Sequence, residues 1–298
     1  MKITNNKGLP EPFVRAVSIV GSESDEKHTP QADRYSVTEL LRPTRELILR
    51  RRHGGEITQD ASEMVWSIFG TAVHKVMEDS VGEEGISEMG VERTVGKWTV
   101  YGYADYVTND TVTDYKTTSV WKFRMGDFSD WKAQLETYAW MLQGTKPFDI
   151  KKGQIIAILR DHRKGEARSN ADYPAQVETV QFDLTDLSGV PERIVSKLSE
   201  VDSCEYMADE DLPMCSEEER WARSGGWAVM KKNRKSALRV LQTEEQAKQW
   251  KEEHGGDFIE RRIPYSTKCE EYCSAAPWCS YYKELHKNDN GTPVEETY

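Results

Sequence analysis

The chain predicts a mixed α/β fold in which a central sheet is flanked by helices and followed by a small cysteine-bearing subdomain. Apolar residues recur every 3.6 positions through residues 63–80 and 129–142, whereas residues 91–117 alternate with a period of two. The run Ile155–Leu159 is continuously apolar, as in a central strand buried on both faces. Helix, three antiparallel strands, helix and strand in that order close a single mixed core.

Residues 1–33 show neither period and include Gly21-Ser22-Glu23-Ser24-Asp25-Glu26, which reads as a loosely attached extension. A single α/β core is then expected over 34–203. It opens at Ser36, an N-cap with Glu39 three residues on, a capping box. Pro43 separates this first turn from the helix carrying Leu47, Ile48 and Arg50-Arg51-Arg52. That arginine run reads either as a solvated helix end or as a track for phosphates. The next helix, from Glu63 to about Ser80, puts Gly70, His74 and Glu78 on one face beside its apolar stripe. Strands at 91–95 and 98–108 are joined by Gly96-Lys97, suited to a type II′ turn, and a third strand starts at Thr111. Ser129 caps the helix that ends at Gly144, Val177–Phe182 is a strand, and Pro191–Val201 a helix. Trp131 and Trp140 read as core packing. Residues 204–286 form the subdomain, with a hairpin over Trp227–Leu241 and a helix near Glu244–Glu253, and 287–298 read as a disordered tail.

The 298 residues carry 51 acidic and 40 basic side chains, a net charge of -11, and a mean hydropathy of -0.73. This excludes a histone-like polybasic protein. The apolar runs fall far short of the ~20 residues of a membrane span, and the N-terminus lacks the apolar region of a signal peptide, so a cytoplasmic protein without membrane partners is expected. Acidity overall leaves nucleic acid open, because local patches and bound metal decide such binding.

Chemistry concentrates on the hairpin around Asn109-Asp110. Asn109-Asp110 tolerate left-handed backbone and suit a two-residue loop, which sets Val107 opposite Val112 and Asp105 opposite Asp114. Facing carboxylates repel, and a divalent cation between them removes the repulsion. Lys116, two residues beyond Asp114, projects from the same face. Two carboxylates and an ammonium are the parts for hydrolysing a phosphodiester: metal held by oxygens, an acidified water, and a cation for the charge growing on phosphorus.

Gly70-Thr71-Ala72-Val73-His74, Glu92, Gly102-Tyr103-Ala104-Asp105, Asp114-Tyr115-Lys116-Thr117 and Gln134-Leu135-Glu136-Thr137-Tyr138 together resemble, in order and spacing, the RecB-like branch of the PD-(D/E)xK nucleases, over about residues 36–185. That branch includes CRISPR-associated RecB-like nucleases and phage recombination exonucleases. The resemblance implies a restriction-endonuclease-like core and metal-dependent cleavage of DNA. It makes Asp105, Asp114 and the Tyr115 carbonyl metal ligands, Lys116 the catalytic lysine, and His74 a ligand delivered from the helix. A nitrogen ligand tilts the choice from Mg²⁺ toward Mn²⁺. Glu92 reads either as an outer metal group or as a solvent-facing strand residue. Gln134 and Tyr138, four apart on a helix, match the QxxxY motif that contacts DNA, while Tyr138 also reads as core packing. Alone, a histidine like His74 reads as a surface residue; its company makes it a ligand.

Cys269, Cys273 and Cys279 supply three thiols in a short loop flanked by aromatics, and Cys215 is the fourth candidate, with Cys204 spare. An odd cysteine number crowded at one end fits a metal centre better than a secreted disulfide framework. Iron-sulfur members of the branch place their first cysteine upstream of the histidine motif; here that stretch reads Leu40-Leu41-Arg42-Pro43. By resemblance the centre is a 4Fe-4S cluster, with structural Zn²⁺ the alternative. Lys231, Lys232, Arg234 and Lys235 at the hairpin turn are candidate DNA contacts.

The function expected is a Mg²⁺- or Mn²⁺-dependent deoxyribonuclease, an exonuclease processing DNA ends in recombination, repair or phage replication, working with DNA and a recombinase or single-strand-binding protein. An endonuclease of restriction or junction-resolving type, and a catalytically inactive DNA-binding module, are the alternatives.

Overall fold

The computed structural model describes residues 2–27, 31–80, 82 and 84–287. The chain divides into two compact units, Met1–Met207 and Ala208–Tyr298.

The first unit begins with strand β1 (Lys2–Thr4) and helix α1 (Glu11–Lys27). These residues were expected to be loosely attached, yet Phe13, Val14 and Val17 of α1 pack with Ile3, Leu9, Ala61, Met64 and Ile68, and Val17 is fully buried. Phe13, Val14, Val17 and Val20 stand at helical spacing, a signal that the expectation of a loose extension passes over, and a tertiary partner makes the first three core. Strand β2 (Arg34–Ser36) leads into α2 (Val37–Leu40), whose capping box pairs Ser36 and Glu39 as expected, and Pro43 starts the separate α3 (Thr44–His53). Strand β3 (Thr58–Asp60) pairs in parallel with β1, and a 3₁₀ turn (Ala61–Met64) enters α4 (Val65–Asp79).

Then come β4 (Ile86–Val95), β5 (Trp98–Val107) and β6 (Thr111–Thr118). Val95 pairs with Trp98 across Gly96-Lys97, and Gly96 supplies the positive φ that the tight turn requires. Helices α5 (Val120–Met125) and α6 (Ser129–Leu142) follow, then β7 (Lys152–Leu159), α7 (Lys164–Ser169), β8 (Val177–Asp183) and α8 (Val190–Ser203). Helix α6 lies on β6 and β7 and buries Trp131, Leu135, Tyr138 and Trp140. Ile155, Ala157 and Leu159 of β7 are buried, consistent with a central strand.

The six-stranded sheet runs β2-β5-β6-β7-β8, with β4 also on β5. A strand has two edges. Strand β4 covers one edge of β5 from end to end; the other is divided, β2 pairing with Thr99–Tyr101 and β6 with Tyr106 and Val107. Between these partners Gly102–Asp105 has no strand neighbour on that side. This gap positions the site.

Arg51 and Arg52 hold the unit together. The Arg51 guanidinium stacks on Tyr35, pairs with Glu39 at 2.9 Å and donates to the carbonyls of Gln31 and Arg34, and Arg52 donates to those of Cys204 and Glu205. These two arginines are staples between chain segments rather than an open phosphate track.

In the second unit, β9 (Ala222–Arg223) precedes β10 (Gly226–Met230) and β11 (Arg239–Leu241), with Trp227 opposite Leu241 as the hairpin reading requires. Thr243 and Gln246 form a capping box for α9 (Glu244–His254). Strand β12 (Phe258–Arg262) pairs with β10, β13 (Tyr265–Ser266) pairs with β9, and α10 (Thr267–Glu271) and α11 (Ser280–Leu285) close the unit. Of the expected tail, residues 288–298 lie outside the described residues. Among the described residues no helix is long and apolar enough to cross a membrane.

Candidate metal centre and active site

The β5–β6 register is the one that the loop at Asn109-Asp110 dictates: Val107 opposite Val112 and Tyr106 opposite Thr113. Continued by one pair it sets Asp105 against Asp114, but there the strands part. The Tyr115 N–H, instead of joining a ladder, donates to Asp105 Oδ2 at 2.7 Å. Burial, and next to it the charge of Asp114, push the Asp105 carboxyl up to about 8, against the pull of the Tyr115 N–H.

Asp114 is buried, and both its oxygens are engaged differently. Oδ1 accepts from Gln134 Nε2 at 2.9 Å. Oδ2 forms an ion pair with Lys116 Nζ at 2.7 Å. Lys116 Nζ in turn donates to Gln134 Oε1 at 2.9 Å. Gln134 thereby presents its acceptor to the lysine and its donor to the carboxylate, which fixes the spacing of the two charged groups.

Tyr138, one turn beyond Gln134 on α6, is buried behind the pair. Burial, followed by the Asp114 charge, pushes its hydroxyl pKa upward, so it stays protonated. Its place depends on Gly102: a Cβ there would lie 2.8 Å from Tyr138 Cε1 and 3.2 Å from Val37 Cγ2. The glycine of Gly102-Tyr103-Ala104-Asp105 is thus a close-approach position where the unpaired stretch of β5 meets α6.

Helix α4 crosses β6 closely at Gly70, where a Cβ would stand 3.4 Å from Thr117 Oγ1. One turn on, His74 Nε2 donates to the Tyr115 carbonyl at 2.7 Å. A carbonyl only accepts, so Nε2 carries the hydrogen, and in the neutral ring Nδ1 bears a lone pair 3.5 Å from Asp105 Oδ2. Two acceptors facing one another are the arrangement that a cation bridges.

The third group at this point was not among the sequence candidates. His74, Glu88 and Asp105 bring ligand atoms within 4.8 Å of one another. Glu88 has φ +47°, a left-handed residue inside β4, and the ladder skips it: Ser87 pairs with Tyr106 and Met89 with Ala104. Such a backbone costs on the order of 1 kcal/mol and turns the carboxyl toward the gap. The signal was in the hairpin register, which through Gly96-Lys97 sets Glu88 opposite Asp105 once β4 is carried back to Ile86. Glu92 pairs instead with Tyr101, roughly 13 Å further along the strand. Its side chain is 68% exposed and meets Arg34 at 3.3 Å, the solvent-facing alternative of the two readings.

His74, Asp105, Asp114, the Tyr115 carbonyl, Lys116, Gln134 and Tyr138 therefore meet at the gap. The remaining candidates belong to the second unit. Lys231, Lys232, Arg234 and Lys235 occupy the exposed turn between β10 and β11. Cys215, Cys269, Cys273 and Cys279 are all free thiols, partly buried, and close enough to interact: burial, then Glu219 and the other three cysteines, raise Cys215 to about 12, and burial, then Cys273 and Cys279, raise Cys269 to about 11.

No protein-family model and no curated protein matches the chain. Among solved structures it is similar to that titled "Crystal structure of SSO0001", at 18% identity over 62% of this chain and 84% of that chain, with a TM-score of 0.47. It is also similar to an alkaline exonuclease (LHK-Exo) from Laribacter hongkongensis, at 10% identity over 56% of this chain and 87% of that one, with a TM-score of 0.34. The complex of LHK-Exo with dAMP matches at 14% identity over 56% and 85%, with a TM-score of 0.36. Overlap this loose leaves the function to be read from the residues of the site.

Proposed function

We propose that this chain is a divalent-metal-dependent DNA nuclease with a PD-(D/E)xK core of the RecB-like branch, acting as an exonuclease on DNA ends. The observation that carries the reading is the convergence of Asp105, Asp114 and Lys116, braced by Gln134, on the unpaired stretch of β5, with His74 and Glu88 facing Asp105.

The residues fit a metal. Buried Asp114 carries its charge beside Asp105, the His74 lone pair faces a carboxylate, and a nitrogen among hard oxygen donors suits Mn²⁺ or Mg²⁺. His74, Glu88, Asp105, Asp114 and the Tyr115 carbonyl would hold the ion, which supplies an acidified water and neutralises charge on the scissile phosphate. Lys116 keeps an ammonium at the site where negative charge grows on phosphorus, and Gln134 with Asp114 holds that ammonium in place. Tyr138, packed closely on Gly102, closes the α6 side of the gap.

For the cysteines we infer a cluster that staples the second unit. By the family resemblance the centre is a 4Fe-4S cluster, with structural Zn²⁺ the alternative for the same four thiols. A role in recombination, repair or phage replication beside a recombinase or single-strand-binding protein accords with an end-processing nuclease.

The test is incubation with DNA labelled at either end, single- or double-stranded, with Mg²⁺ or Mn²⁺. Mononucleotides released progressively from one end support an exonuclease, internal fragments an endonuclease, and a metal-supplemented protein that leaves both substrates intact overturns the reading.

A further inference from the structure

The second unit contains a cavity of about 560 Å³ where the β9–β13 pair meets the end of the β10–β12 sheet. It exists because two chain crossings come very close. A Cβ at Gly225 would lie 2.6 Å from Pro264 Cδ, and one at Gly226, whose φ is +152°, would lie 2.6 Å from the Leu241 carbonyl oxygen.

Arg220, Arg223, Arg261 and Arg262 all line this cavity, against the single carboxylate of Glu217. Among the described residues none of the four arginines forms an ion pair with a carboxylate. Arg262 turns its guanidinium toward Met230 Sδ at 3.9 Å; in a chain with net charge -11, those of Arg220, Arg223 and Arg261, gathered without acidic partners, repel one another, and a bound anion reverses that cost.

The register sorts the arginines into pairs with aromatic rings. Arg261 is directly opposite Trp227 across β12 and β10, and Arg223 directly opposite Tyr265 across β9 and β13, so each arginine shares a sheet face with its ring. Arg220 lies over the Tyr281 ring at 4.2 Å. Guanidinium groups beside flat rings around one cavity match the phosphates and bases of a strand. The volume suits nucleotide units and is too small for a duplex. The lysine-rich turn at 231–235, expected from sequence as the contact, is at the other end of β10 from this cavity.

We propose that this arginine- and aromatic-lined cavity binds single-stranded nucleic acid, the guanidinium groups on its phosphodiesters and the rings against its bases. The proposal stands whether or not the carboxylate site hydrolyses DNA. It is tested on full-length protein with divalent ions chelated, by the fluorescence anisotropy of an end-labelled single-stranded oligodeoxynucleotide at several salt concentrations. Arg223→Ala/Arg261→Ala is expected to weaken binding at least about tenfold and to reduce the salt slope by about 1.4, for two lost phosphate contacts. An abasic strand of equal length is expected to bind the parent protein more weakly. Both arginines are exposed, and Arg223→Gln and Arg261→Gln singly provide the same reading should the double variant fold poorly. Unchanged affinity and salt slope in the variants overturn the proposal. So does equal binding of the abasic strand, or thymidine 5′-monophosphate displacing the strand at the strand's own affinity, which would make this a free-nucleotide pocket. Cleavage is scored separately with Mg²⁺, so an inactive nuclease site and an empty cavity give different results.

Discussion

Replacing Asp105 by asparagine is expected to stabilise the metal-free protein and to abolish its response to metal. The Asp105 carboxyl, an ordinary acid near 3.9 in the unfolded chain, rises to about 8 in the fold because it is buried beside Asp114. A raised carboxyl binds its proton more tightly when folded. Its contribution is therefore most favourable below about pH 4, falls as pH climbs toward about 8, and levels off above that. At about 1.4 kcal/mol per pH unit, the loss between about pH 5 and about pH 8 reaches at most about 4 kcal/mol. Asp105→Asn removes this titration while keeping an oxygen that accepts from the Tyr115 N–H. The melting temperature of the chelated variant should thus exceed that of the parent by a margin that widens with pH, up to roughly 8–16 °C at about pH 8 for a unit of this size. With Mn²⁺ in excess the order should invert, because ligand binding stabilises only the protein that retains the site. Thermal melts of both proteins across this pH range, with chelator and with Mn²⁺, make the comparison. A margin independent of pH, or equal stabilisation of both by Mn²⁺, refutes the argument that these two carboxylates share a cation.

Four further outcomes are expected. Lys116→Ala and Asp114→Ala should each reduce cleavage by at least about a hundredfold while circular dichroism stays that of the parent, since Asp114, though buried, is held by Gln134 and Lys116 of the site itself; near-parental rates would remove them from the chemistry. Glu88→Gln should weaken Mn²⁺ binding about 10- to 100-fold by calorimetry, and Glu92→Gln should leave it unchanged; the opposite ranking would restore Glu92 as the ligand. Gly102→Ala should cost about 1–3 kcal/mol in urea unfolding by driving a methyl into Tyr138, and much less in a Tyr138→Leu background; equal costs in both would show that the two residues do not meet. Anaerobically purified protein should be brown with bound iron, and Cys273→Ser should lose both colour and stability; a colourless protein with about one zinc per chain would assign structural Zn²⁺ instead.

Local rules reached far into this molecule. The capping box at Ser36 and Glu39, the break at Pro43, the Gly96-Lys97 turn and the loop at Asn109-Asp110 each depend on neighbours in the chain, and they were enough to set the β5–β6 register through Val107 and Tyr106, just short of Asp105 and Asp114, where the strands part. Whatever depends on long-range partners was not legible in that way. Helix α1 carries Phe13, Val14 and Val17 at helical spacing, but that these attach to the rest of the unit depends on Ala61, Met64 and Ile68. Arg51 and Arg52 look like a free basic run until Tyr35, Glu39 and the end of α8 come round to meet them. Glu88 and Glu92 are both glutamates of one strand, and only the division of the β5 edge between β2 and β6, which leaves a gap opposite the left-handed Glu88, selects one of them. Spacing along a chain prescribes which face a side chain takes, because backbone geometry repeats; which of the groups on that face meet is decided by where the sheet opens, and that is a property of strands far apart in sequence.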